Sequence, residues 1–175
     1  MDNVGLFFSV LNLNGRFWAL DKLMVFGTIS LIYLTFLLVF VLAVKGGTKE
    51  KKALLLIILG LPISFLLIKV IHLFLFENRP FVTFHFIPIV AEAADSASFP
   101  SRHATIAAVL AFAYTYFKSK WSALLLFLML WIGISRIYVG VHYPLDILGG
   151  FITAVASLVI ALAIGKILEK LFLKI

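Results

Sequence analysis

Five apolar runs, at about residues 24–44, 53–76, 103–117, 121–138 and 144–165, leave this chain very few ways to fold. A bilayer crossing takes about 20 apolar residues, fewer where protein flanks the helix, and inside lipid every backbone amide must be satisfied within its own segment. The expected fold class is therefore all-α: a polytopic membrane helical bundle of about five transmembrane helices. Composition points the same way, with 63% apolar and 13% charged residues, against roughly half and a quarter in soluble domains. The third run is short and carries Ala104, Ala107, Ala108, Ala111 and Ala113. Small side chains let helices approach closely, so this run is expected in the middle of the bundle.

No linker, low-complexity tract or repeat divides the chain, so residues 1–175 read as a single domain. The start lacks the pattern of a removable signal peptide. Asn12, Asn14 and Arg16 interrupt its apolar character, so residues 1–20 are expected as an interfacial amphipathic helix ahead of the transmembrane bundle of 24–175. Cysteine is absent, which excludes disulfides, thiolate catalysis and cysteine metal sites.

Threading the runs through a membrane sorts the charges. Lys45, Lys49, Lys51, Lys52, Lys118, Lys120, Lys166, Lys170 and Lys174 fall on one face with only Glu50 and Glu169, while the other face balances six basic against six acidic residues. By the positive-inside rule the lysine face and the C-terminus are cytoplasmic. The basic balance then reflects topology and anionic lipid, not nucleic acid.

Three polar clusters gather on the opposite face, each at the end of an apolar run. In the last, Ser135-Arg136 closes the fourth run, Pro144 suits the first turn of the fifth helix, and Asp146 lies within that turn, in reach of His142. A carboxylate so placed fixes the tautomer of an imidazole, and an imidazole with a free nitrogen can attack phosphorus. In the middle cluster, Ser101 is placed to cap the third helix, whose free amides form an anion site, beside Arg102 and the titratable His103. In the first, Arg79-Pro80 follows the second run, with His72 on the same helix face and Lys69 one turn deeper. Taken singly, each cluster also suits a helix cap and a headgroup anchor. Their convergence is what favours a site: Arg79, Arg102 and Arg136 offer the charge stabilisation that phosphoryl transfer needs, without a metal or other cofactor.

These residues resemble the type 2 phosphatidic acid phosphatase superfamily, whose motifs run Lys-x6-Arg-Pro, Pro-Ser-Gly-His and Ser-Arg-x5-His-x3-Asp. Ser135, Arg136, His142 and Asp146 match the third throughout. Pro100, Ser101 and His103 match the second, with Arg102 in place of glycine; Arg79 and Pro80 match the first, with His72 at the lysine position. The resemblance implies a membrane-embedded lipid phosphatase in which His142 forms a phosphohistidine, Asp146 supports it and His103 protonates the leaving group. It assigns Arg79, Arg136 and Ser101 to the phosphate oxygens; Arg102 would tune the headgroup accepted, and His72 is a weaker candidate for the lysine's role. The implied partner is the bilayer and a lipid phosphate within it. Undecaprenyl diphosphate is favoured, with lipid A 1-phosphate, phosphatidylglycerol phosphate and phosphatidic acid as alternatives. Residues 81–99 are expected as an apolar interfacial loop over the site. Two rival readings are a lipid transporter, which would more often show inverted repeats and broken helices, and a histidine metal site, whose cation three arginines would repel.

Overall fold

The computed structural model describes residues 2–172, with side chains placed as far as 167. Lys174, assigned above to the cytoplasmic face, lies outside the described residues, as do the side chains of Glu169 and Lys170. The described residues fold as eight helices in the order α1 (Asn3–Leu11), α2 (Trp18–Ile29), α3 (Leu31–Lys45), α4 (Thr48–Phe74), α5 (Pro80–Thr83), α6 (Arg102–Tyr116), α7 (Ser122–Tyr138) and α8 (Pro144–Phe172).

At its centre stands α6, which packs on α4, α7 and α8. Its alanines at 104, 107, 108, 111 and 113 are all buried, as are Val109, Leu110 and Tyr114. Because those side chains are mostly small, the neighbouring helices close in on every side, as expected for a bundle centre. Close contact is sharpest against α8: a Cβ on Gly150 would lie 3.0 Å from the Ala104 Cβ, the Ser101 carbonyl oxygen and the Thr105 amide. Gly60 in α4 makes a similar approach to Leu158 of α8. These contacts set the helix starts at Arg102 and Pro144 side by side, and the Ser101 amide donates to the Asp146 carbonyl at 3.0 Å.

The lysine-rich loops meet at the other end. Ser119 donates to the Glu50 carboxylate at 2.6 Å, and Lys49 Nζ donates to the Lys118 carbonyl at 3.1 Å, which joins the α3–α4 connection to the α6–α7 connection. Glu50 also accepts from the Gly47 amide at 2.9 Å and so closes the first turn of α4.

Two expectations need correction at the N-terminus. Residues 1–20 are not one helix: α1 ends at Leu11, a turn through Gly15 (φ +75°) follows, and α2 begins at Trp18. Asn12, Asn14 and Gly15 are turn formers, and the Gly15 amide is held by the Asp21 carboxylate at 3.1 Å. On its inner face α1 packs against the protein, with Phe7 fully buried among Phe84, Phe86 and Tyr143. The first apolar run is also broken, because α2 and α3 meet at an angle of 57°. The bend lets α2 pack on α7, where Gly27 lies against Trp131 and Ser135, while α3 packs on α4.

Of the described helices, α4 and α8 are long and apolar enough to cross a membrane, and the bent α2–α3 pair makes a third candidate. The central α6 has 15 residues and α7 has 17, so both fall short of an independent span. Protein shields α6 from lipid, which relaxes its length requirement.

Candidate active site

The ends of α4, α6, α7 and α8 that carry the three clusters lie together. Asp146, wholly buried in the first turn of α8, is the anchor. Its Oδ2 accepts from the Tyr143 amide at 2.7 Å and from the Ser98 hydroxyl at 2.5 Å, and it faces His142 Nδ1 at 3.2 Å. An ionised carboxylate only accepts, so the network assigns the His142 proton to Nδ1 and leaves Nε2 unprotonated, with its lone pair as an acceptor. The tight turn from α7 to α8 makes this possible: Gly140 takes φ +85°, and a Cβ there would run into Phe86.

His142 is 2% exposed, and its Nε2 faces Arg79 Nη1 at 3.2 Å. Burial, followed by the guanidiniums of Arg136 and Arg79, holds its pKa well below the ordinary imidazole value. A neutral ring at neutral pH is what a nitrogen nucleophile needs.

Arg79 and Arg136 are both buried. Arg79 is fixed by bonds from Nη1 to the Val141 carbonyl and from Nε to Ser96. Arg136, at the end of α7, is ion-paired through Nη2 with Glu92 and has a buried Nε without a partner. Glu92 also lies 3.6 Å from Arg79 Nη2 and so bridges the two guanidiniums. Burial would raise the Glu92 pKa, but Arg136 and Arg79 outweigh it and keep the carboxyl below its ordinary range.

The remaining candidates are placed less centrally. Ser101 is buried at the α6 N-cap, its hydroxyl 3.4 Å from the Ala104 amide that it accepts. Half-buried His103 and exposed Arg102 follow it in the first turn. His72 is partly buried, with an Nε2 that has no hydrogen-bond partner, and it is not joined to the His142 network. Lys69 is exposed on α4, which gives its ammonium a route outward.

Glu92 and Ser98 were not among the candidates read from the sequence. Both come from the loop after α5, which is tied down by an Ile89 amide bond to the Val139 carbonyl, by burial of Val90 and by a Ser98 amide bond to the Glu77 carbonyl. The loop does lie over the site, as expected of 81–99, although it begins with the short helix α5. The available signal was a glutamate inside an otherwise apolar interfacial stretch. Among the described residues, no three histidine or carboxylate side chains are grouped to hold a metal ion.

The chain is similar to known proteins in sequence and in fold. The PAP2 superfamily profile matches residues 52–168, more than half of the chain. The undecaprenyl-diphosphatase BcrC of Bacillus subtilis (strain 168) is 36% identical over 167 residues, which span 93% of this chain and 80% of that protein. The bacitracin transport permease protein BcrC of Bacillus licheniformis is 27% identical over 89% of this chain and 76% of its own length. Among solved structures, that of Aquifex aeolicus LpxE superposes with a TM-score of 0.65 at 23% identity, covering 92% of this chain and 94% of that one, which extends the likeness to the fold. On the profile match and the Bacillus subtilis relative, this chain belongs to the PAP2 superfamily and is a membrane lipid phosphatase of that type.

Proposed function

We propose that this protein hydrolyses undecaprenyl diphosphate at the extracytoplasmic face of a bacterial cytoplasmic membrane. One observation carries the chemistry: the single carboxylate oxygen of Asp146 that gathers Tyr143, Ser98 and His142 Nδ1, leaving Nε2 turned toward a buried guanidinium. In the first step Nε2 attacks the terminal phosphorus and the bond to the bridging oxygen breaks. His103 supplies the proton to the departing lipid monophosphate. Water then attacks the phosphohistidine, and inorganic phosphate leaves. Arg79 and Arg136 hold the equatorial oxygens and stabilise their charge, with the α6 N-terminus at Ser101 adding amide dipoles. Exposed Arg102 is suited to the rest of the headgroup, and His72 is left outside the phosphate site. The substrate choice follows the activity for which the Bacillus subtilis relative is named. The lysine-rich end supports this orientation, since the Glu50–Ser119 and Lys49–Lys118 contacts join the basic α3–α4 and α6–α7 connections. Completing that topology, α6, shielded by its neighbours, and α7, with an exposed apolar face at Phe127, Leu130 and Ile134, serve as spans, which gives five.

Purified protein in detergent should release phosphate from undecaprenyl diphosphate faster than from phosphatidic acid, phosphatidylglycerol phosphate or lipid A 1-phosphate. His142→Ala should abolish that release and with it an acid-labile phosphoenzyme. Near-normal release by the variant would end the mechanism. A reading as a transporter, in line with the name of the Bacillus licheniformis relative, would be favoured instead if neither protein released phosphate from any lipid.

A further inference from the structure

The mechanism gives no duty to Glu92, the partly buried carboxylate at the centre of the arginine pair. Its side chain is 16% exposed, one oxygen pairs with Arg136, and the other lies 3.6 Å from Arg79. The supporting loop is fastened on both sides of it, by Ile89 to Val139 ahead and by Ser96 to Arg79 and Ser98 to Glu77 behind. Glu92 therefore occupies the guanidiniums proposed to hold the substrate's phosphoryl oxygens.

Two buried arginines without a counterion would be costly, and at a membrane surface the most abundant anions are phosphodiester headgroups. A phosphodiester carries one negative charge, as a carboxylate does, so exchanging Glu92 for it adds no charge to the pair. A terminal phosphoryl group carries up to two charges and presents three free oxygens to two planar forks. Such an exchange gains both charge and hydrogen bonds.

We infer that Glu92 is a specificity-determining residue, an internal anion that fills the phosphoryl position between Arg79 and Arg136 and yields to a terminal phosphoryl group but not to phosphodiester lipids. The inference rests on the assignment of phosphate binding to those two arginines.

Wild-type protein and Glu92→Gln, both full length in detergent, provide the comparison. Removing the charge should strengthen inhibition by phosphatidylglycerol, a phosphodiester, by about tenfold or more, while the inhibition constant of inorganic phosphate should fall by a smaller factor; equal falls would overturn the inference and make Glu92 a general competitor. Inorganic phosphate should also raise the melting temperature of the variant more than that of wild type, a readout that needs no turnover. Glu92→Asp keeps the charge and should stay within about threefold of wild type in its response to phosphatidylglycerol, so an about tenfold stronger inhibition of that variant would overturn the inference even if the glutamine protein does not fold. A fall in kcat with unchanged inhibition constants would overturn the inference and make Glu92 a group that acts on the reaction itself. Inhibition and kinetics unchanged throughout would equally overturn it. Failure of the underlying assignment has a different signature: Arg79→Gln would leave the phosphate inhibition constant and phosphate-induced stabilisation of wild type unaltered.

Discussion

His142 is held neutral by its surroundings, and this has measurable consequences in two directions. Burial and the charges of Arg136 and Arg79 lower its folded pKa, so the ring keeps its lone pair as pH falls through about 6.5, the unperturbed value. The acid limb of kcat/KM due to this group should therefore lie below about pH 6.5. For stability, the unfolded chain takes up a proton below that pH and the folded chain does not. The contribution is complete above about 6.5 and is lost as pH drops. Melting temperatures measured from pH 7.5 down to pH 5 should accordingly fall less in His142→Gln than in wild type. Asp146→Asn leaves the shape of the network but removes a pure acceptor, and it should lower kcat on the order of 10³-fold, measured beside an unchanged helical spectrum. At this scale His142, Asp146, Arg79 and Arg136 were legible because helix ends and fixed spacing bring them together. Glu92 and Ser98 were not, since a loop without period reaches the site only through tertiary contacts. His72 matched a spacing, but the structure leaves it apart from the His142 network.

Among the elements, the approach of α6 to α8 positions the chemistry. A methyl group on Gly150 would press on the Ser101 carbonyl and the Thr105 amide at 3.0 Å, and backbone atoms there yield only if the start of α6 moves. Gly150→Ala should therefore cut kcat by about tenfold or more, because small displacements of reacting groups are expensive. The check is a kinetic loss larger than the change in melting temperature accounts for. The bounds of α6, α7 and the start of α8 lie within a residue of those read from apolar runs and Pro144, because burial and helix propensity agree there. The N-terminal third was harder to read. Its break at Asn12–Arg16 is local turn chemistry, but the 57° bend between α2 and α3 answers to packing on α7 and α4, which no hydropathy pattern encodes.

For the whole molecule, the absence of cysteine permits a direct test of orientation. Ile87, 94% exposed in the loop over the site, and Lys120, exposed in the lysine-rich end, can each be made the sole cysteine. An impermeant maleimide added to intact cells should label Ile87→Cys and spare Lys120→Cys until the membrane is opened; the reverse pattern would invert the proposed topology. Each end of the bundle holds a paired carboxylate, the buried Glu50 satisfied by a serine and an amide, the partly buried Glu92 by two arginines. Only the second is placed for trade. If an incoming phosphoryl group replaces that carboxylate, association is an ion exchange and not the capture of an anion by a bare positive site. Mobile salt then weakens the pairing on both sides of the equilibrium, so the substrate's KM would respond to ionic strength far less than two buried arginines acting alone would suggest.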